Sequence, residues 1–240
     1  MLDVPVEKEK FVTNPCNLVR APRSPTREMV FLDWDQEVGL AEAHPERYRA
    51  LRYLAVDAGM RWGELIGLRR AKVDLHIRKV RVTEQLIRLG AGEWLRKEPK
   101  TPSSVRSITV SSFTAAVLAE HLERFAEPGP DGLVITNTAH NPLISSSFHT
   151  HAFGPALARV GLACRFHDLR HTSVALAIAA GAHPKAIQHR MGHSSINVTL
   201  DRYGHLFPEL DEAIAVAFGE RLAETHERRA STVVHAVFGR

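Results

Sequence analysis

Residues 165–206 read R-F-H-D-L-R-H-T-S-V-A-L-A-I-A-A-G-A-H-P-K-A-I-Q-H-R-M-G-H-S-S-I-N-V-T-L-D-R-Y-G-H-L, and the rest of the chain is read outward from this stretch. Its punctuation predicts three short helices. The first runs from about His167 to Ala180 and stops at Gly181, glycine being the residue most often found just past a helix end. Pro184 suits the first turn of a second helix, which Gly192 ends. Ser194 or Ser195 can cap a third helix, which carries Tyr203. On the first helix His167 and Arg170 are three residues apart and share a face. Val174, Leu176, Ala177 and Ile178 give the same helix an apolar side, so the polar pair sits beside a core. Arginine to hold non-bridging oxygens, histidines to move protons and a phenol as nucleophile together suit attack on a phosphate.

The boxes H-D-L-R-H-T, M-G-H-S-S and T-L-D-R-Y-G-H resemble, in order, spacing and flanking residues, the carboxy-terminal half of the tyrosine recombinases, the phage-integrase family. The resemblance implies an α+β, mainly helical catalytic domain with a small antiparallel three-stranded sheet. It implies breakage and rejoining of DNA strands through a 3′-phosphotyrosyl intermediate, with Tyr203 attacking the scissile phosphate and displacing the 5′-hydroxyl. Arg61 and Arg170 would bracket the non-bridging oxygens, where charge builds in the transition state. His167 would accept or shuttle the tyrosine proton, His193 would donate to the same phosphate, and Lys100 would protonate the leaving oxygen. Energy stays in the covalent bond, so no metal, ATP or other cofactor is implied. The implied partners are double-stranded DNA, further copies of the chain in a tetramer on that DNA, and accessory DNA-bending proteins.

Composition agrees with such a protein. The 240 residues can bury a sizeable core, and 44% hydrophobic with 24% charged content is ordinary for a globular chain. No apolar run approaches a membrane span, and M-L-D-V-P-V-E-K-E-K is no signal peptide. Cys16 and Cys164 make neither a disulfide framework nor a zinc knuckle, which points to a reducing cytoplasm. The net charge is +4, but residues 69–106 hold eleven Lys/Arg against four Asp/Glu, a local +7, leaving −3 for the remainder. Segregated charge of this kind points to a polyanion on one face, the alternative being a solvated basic hairpin.

In chain order, residues 1–28 lack periodicity, carry Pro5, Pro15, Pro22 and Pro25, and read as a linker or lead-in. N-P-C-N-L-V-R-A-P-R resembles the connector before the family's catalytic domain. Family members usually carry a helical core-DNA-binding domain ahead of it, so a catalytic domain alone is expected here, over residues 29–207. Asp33 and Gln36 form a capping box for a helix over about 34–43. Pro45 starts a second, ended by Gly59. A-G-M-R-W-G-E-L-I-G-L follows and resembles the family's first arginine box, with Arg61 opening a helix and Glu64 holding its guanidinium. From Val73 the period changes to two, and I-R-K-V-R-V-T-E-Q-L-I-R, E-W-L-R-K and V-R-S-I-T-V read as three antiparallel strands. Arg78, Lys79, Arg81, Lys97 and Arg106 on these strands are candidate DNA contacts. Lys100, in P-K-T-P-S-S, resembles the family's hairpin lysine, with Lys97 its competitor.

A helix over about Phe113–Phe125, a short strand L-V-I-T and a helix over Ser147–Val160 complete the domain. The tail, 208–240, carries Leu210, Ile214, Ala217, Phe218 and Leu222 at helical spacing. The stripe can finish the core of its own subunit; by the resemblance such a tail packs on a neighbouring protomer. The final T-V-V-H-A-V-F reads as a short strand.

Two other function classes compete. A non-catalytic DNA-binding remnant of a truncated integrase would keep the fold and lose the chemistry. A zinc hydrolase would use His167 and His171, four apart on one helix, but such a site needs a glutamate where Asp168 stands, and no third ligand follows at a suitable spacing.

Overall fold

The computed structural model describes residues 28–98, 104–207 and, in the tail, 215–216, 218–225 and 228. Helix α1, Trp34–Glu42, opens on the expected capping box: Asp33 accepts from Gln36 N, and Gln36 accepts from Asp33 N. A 3₁₀ turn, Glu46–Tyr48, leads into α2, Arg49–Asp57, which buries Leu51, Leu54 and Ala55. Gly59, at φ +59, turns the chain into the short α3, Trp62–Ile66. A side chain at Gly59 would also strike the Met191 thioether.

The β segment departs from the expectation in one respect. Residues 77–88 do not form one strand; the chain breaks at Thr83–Glu84 and enters two sheets. β1 (Val73–Asp74), β2 (Lys79–Val82) and β5 (Arg106–Thr109) form the three-stranded antiparallel sheet, ordered β1-β2-β5. β3 (Gln85–Arg88) and β4 (Trp94–Lys97) form a separate two-stranded ribbon. Arg69 provides a reason for the break, because its guanidinium draws the Glu84 carboxylate to 2.8 Å. The ribbon instead lies on α3, where Gly63 lets the Leu86 carbonyl approach a backbone without a Cβ between them. Alternation holds in the sheet: Val80, Val82 and Ile108 point into the core while Arg81 and Ser107, which pair across strands, point out.

α4 (Ser112–Arg124) is capped by Ser111. The expected strand at Leu133–Thr136 is reduced to a single bridge, Arg69 with Leu133, although Val134 and Ile135 are buried. α5 (Ser145–Phe148), a π turn over His149–Phe153 and α6 (Gly154–Val160) follow one another without a break, so the expected helix is present, begins two residues earlier and carries a π turn within it. Then come α7 (Asp168–Ala179), α8 (Pro184–Met191) and α9 (Ile196–Tyr203), within two residues of the predicted limits. Gly181 and Gly192 both take positive φ, and Ser195 is the cap that accepts from Asn197 N.

Burial divides into two cores. The larger joins α1–α6, the sheet and Leu169. The smaller holds Val174 and Ile178 of α7, Ile187 and Met191 of α8, and Tyr203 of α9. Among the described residues no helix is long and apolar enough to cross a membrane. In the tail, helical positions leave Val216, Phe218 and Leu222 exposed.

Candidate active site

Arg61, Arg170 and His193 come from three separate parts of the chain and meet at the carboxy-terminal turn of α8. The last carbonyls of a helix have no partner within it and carry the negative end of its dipole. Here three arginines take them in succession. Arg106 Nε donates to Arg190 O at 2.8 Å, Arg170 Nη2 to Met191 O at 2.5 Å, and Arg61 Nη2 to Gly192 O at 3.4 Å. Arg170 Nη1 donates to Gly59 O, tying α7 to the turn before Arg61. Arg170 is 4% exposed, and burial together with the charges of Arg61 and Arg106 weakens its hold on its proton.

Neighbouring aromatics set the spacing of the first arginine and the first histidine. Trp62 follows Arg61, Phe166 precedes His167, and the two rings pack edge to face at 5.0 Å. Such a pair contributes about 1 kcal/mol beyond its buried area. Phe148 adds a second edge contact to Phe166. The resulting concavity is lined by Met60, Trp62, Ser145, Phe166, His167 and Arg170, and it shares Trp62, Ser145 and Phe166 with a wider cleft lined by α5 and the β3–β4 ribbon.

Glu64 holds Arg61 as expected, and it holds a second arginine too. Its carboxylate accepts from Arg61 N and Nη1, both at 2.8 Å, and also from Arg106 Nη1 and Nη2, at 3.1 and 2.9 Å. Burial alone would raise its pKa, but hydrogen bonds and charge from Arg106, then the Arg61 backbone and charge, bring it to about 2. Arg106 therefore needs correcting as a DNA contact. Its side chain has no solvent exposure, and it holds Glu64, which holds Arg61. Arg78, Arg81 and Lys97 are exposed and Lys79 is partly so, whereas Lys100 lies outside the described residues.

His193 follows the Gly192 turn and is 7% exposed, with Nδ1 2.9 Å from Thr199 Oγ1. Burial, then the charges of Arg170 and Arg61, lower its pKa to about 3, so it is neutral near pH 7. His167 is exposed, at the amino-terminal edge of α7, and partial burial of its ring with the charge of Arg170 lowers its pKa.

Tyr203 ends α9 with 1% exposure. The imidazole it touches is not His167. Tyr203 Oη lies 2.6 Å from Nδ1 of His171, one helical turn further along α7, and His167 stands edge-on to His171 with 4.9 Å between ring centroids. Direct receipt of the phenolic proton by His167 is not the arrangement seen. From the sequence, His171 is a candidate for metal ligation alone; its place four residues after His167 is the signal that it shares the histidine face. Asp168, between the two histidines, is 1% exposed and accepts from Arg165 N, Nε and Nη2.

Comparison with known proteins identifies the family. Residues 31–209 match the model of the phage integrase family. The chain is 32% identical over 195 residues to a sequence named as the putative prophage phiRv2 integrase of Mycobacterium tuberculosis, covering 80% of this chain and 51% of that one. It is 29% identical over 230 residues to the integrase of Mycobacterium phage L5, covering 94% and 61%. The chain thus spans between half and two thirds of the length of these curated relatives. Among solved structures, the Tn1549 transposon integrase in complex with transposon right end DNA superposes with a TM-score of 0.68 at 25% identity, covering 82% of this chain and 67% of that one. Because that family model matches residues 31–209, well over half of the 240, the chain belongs to the phage integrase family.

Proposed function

We propose that this chain is the catalytic part of a site-specific DNA recombinase, joining DNA to Tyr203 through a 3′-phosphotyrosyl bond. The observation that carries the reading is the convergence of Arg61, Arg170 and His193 on one helix end, with Tyr203 on the next helix. Arg61, 37% of whose side chain is exposed, and Arg170 supply charge for the non-bridging oxygens. Neutral His193 donates to the same phosphate, and His167 borders the concavity in which that phosphate would lie. Tyr203 Oη attacks phosphorus, the bond to the 5′-oxygen breaks, and Lys100 protonates the leaving oxygen. The bond energy is retained in the phosphotyrosine, so the cycle needs no metal and no ATP.

The partner on this reading is double-stranded DNA in the cytoplasm, with further copies of the chain in a tetramer and accessory DNA-bending proteins beside it. Solved relatives include a lambda integrase dimer bound to a COC′ core site, which supports assembly on DNA. The exposed Val216, Phe218 and Leu222 support a tail that packs on a neighbouring protomer.

A nicked suicide duplex tests the reading against a DNA-binding remnant. Wild type should leave a protein–DNA adduct that survives denaturant, and Tyr203→Phe should leave none. An adduct in the Phe variant would remove Tyr203 from the role, and binding without any adduct would favour the remnant.

A further inference from the structure

The hydrogen bond between Tyr203 and His171 joins two buried side chains, 1% and 6% exposed, across 2.6 Å. Neither partner carries charge near neutral pH. Burial, then the charge of His167, lowers the imidazole pKa to about 4, and burial pushes the phenol above its ordinary range. Two neutral partners share one hydrogen along this line. With His171 carrying its proton on Nε2, the phenol donates and Nδ1 accepts. A general base must lie within hydrogen-bond reach of the proton it takes, and Nδ1 of His171 meets that condition. His167, by contrast, presents its ring to the side of His171, at an interplanar angle of 89°.

We infer that His171 is the general base for the nucleophile, taking the proton of Tyr203 during attack and returning it during rejoining. The inference rests on the recombinase reading above. In the forward step the Oη–P bond forms, the Oη–H bond breaks, and the proton passes to Nδ1. The P–O5′ bond breaks with its electron pair staying on the 5′-oxygen, which takes a proton from the acid assigned to Lys100. On rejoining, a 5′-hydroxyl attacks the phosphotyrosine, loses its proton to that same acid site, and expels the phenolate. The phenolate then recovers its proton from His171. The low basicity of the imidazole before substrate arrives fits this role. It keeps the base unprotonated, and a seated phosphate adds the negative charge that favours imidazolium at the moment of attack.

The test uses the full chain on the nicked suicide duplex, following adduct formation in a single turnover. His171→Asn places an amide oxygen near the position of Nδ1. It can still accept from the phenol but cannot carry the proton away, which separates holding the phenol from deprotonating it. Adduct formation by His171→Asn should be slowed about 100-fold or more. Replacing Tyr203 with a fluorinated tyrosine, whose phenol is more acidic, should shrink that slowing by about tenfold, because a more acidic phenol needs less help. A contact that only positions the ring would not respond to phenol acidity. His171→Gln, read by the same fluorination ratio, serves if His171→Asn does not fold. A rate within about threefold of wild type, or a slowing that fluorination leaves unchanged, overturns the assignment. Absence of adduct from wild type itself overturns both this assignment and the recombinase reading. A normal wild-type adduct with an undiminished His171→Asn overturns this assignment alone.

Discussion

Glu64 accepts from two arginines of unequal exposure: 37% of the Arg61 side chain meets solvent and none of Arg106 does. The two should therefore separate in experiment. Arg106→Ala leaves a carboxylate that is 5% exposed with only the outer arginine, and breaking a buried pair from one side costs about 3–5 kcal/mol. Arg61→Ala removes the partner nearer to solvent and should cost about 1 kcal/mol or less in stability while abolishing adduct formation. Urea denaturation measures the first effect and the suicide-substrate assay the second. Wild-type stability in Arg106→Ala together with weakened DNA binding would return Arg106 to the DNA-facing surface.

At the scale of elements, the β segment uses its excess of positive charge in two ways. Arg69 pairs with Glu84 and Asp131, Arg70 donates to Leu122 O, and Arg106 is buried against Glu64, so part of the local charge fastens this segment to the rest of the fold. The exposed remainder falls into two groups. Arg88, Arg96 and Lys97 lie on the β3–β4 ribbon, Arg96 within 3.6 Å of Glu84, and the ribbon borders the cleft beside the Arg170 concavity. Arg81 lies on the outer face of the three-stranded sheet opposite Ser107, beside an apolar groove that includes Trp34, Val38 and Phe113. Charge reversal of Arg88 and Lys97 should weaken duplex binding to all sequences alike and reduce the salt slope by about one for each phosphate left without its cation. Reversal of Arg78 and Arg81 should do less. Fluorescence anisotropy over a salt series decides, and a larger effect from the sheet pair would place the duplex over the sheet.

For the whole molecule, buried neutral histidines make stability depend on pH. His44, His171 and His193 are each buried, and burial lowers their pKa values to about 4, 4 and 3. Below the ordinary imidazole value the unfolded chain takes up protons that the folded chain refuses. The histidine contribution is therefore full above about pH 6.5 and declines as pH falls toward 4. Glu37 works the other way, because burial raises its pKa despite Arg52, and its contribution is lost as pH rises from the ordinary carboxylate range through about 7. His121 is buried as well, and burial lowers its pKa in the same direction. The histidines therefore outweigh the one raised carboxylate, and unfolding free energy should drop by about 3–5 kcal/mol between pH 7 and pH 5. Urea titrations at the two pH values test this, and a flat profile would contradict the burial of these imidazoles.

Helices α7, α8 and α9 were legible because their limits are local. Gly181, Pro184, Gly192 and Ser195 act through backbone conformation and capping within a residue or two of where they stand. The Asp33–Gln36 box was legible for the same reason. The family, too, was readable from boxes of adjacent residues. What the sequence could not determine was anything set by long-range packing. Whether residues 77–88 stay in one sheet depends on Arg69, and on α3 offering the ribbon a surface at Gly63. An arginine in a strand reads as solvated charge until Glu64, 42 residues earlier in the chain, is found across from it. The imidazole that meets the Tyr203 phenol was decided by the small core of α7, α8 and α9, which fixes α9 against one turn of α7. A histidine at 167 and one at 171 share a face by periodicity alone; only the packing of that core selects the one that the nucleophile touches.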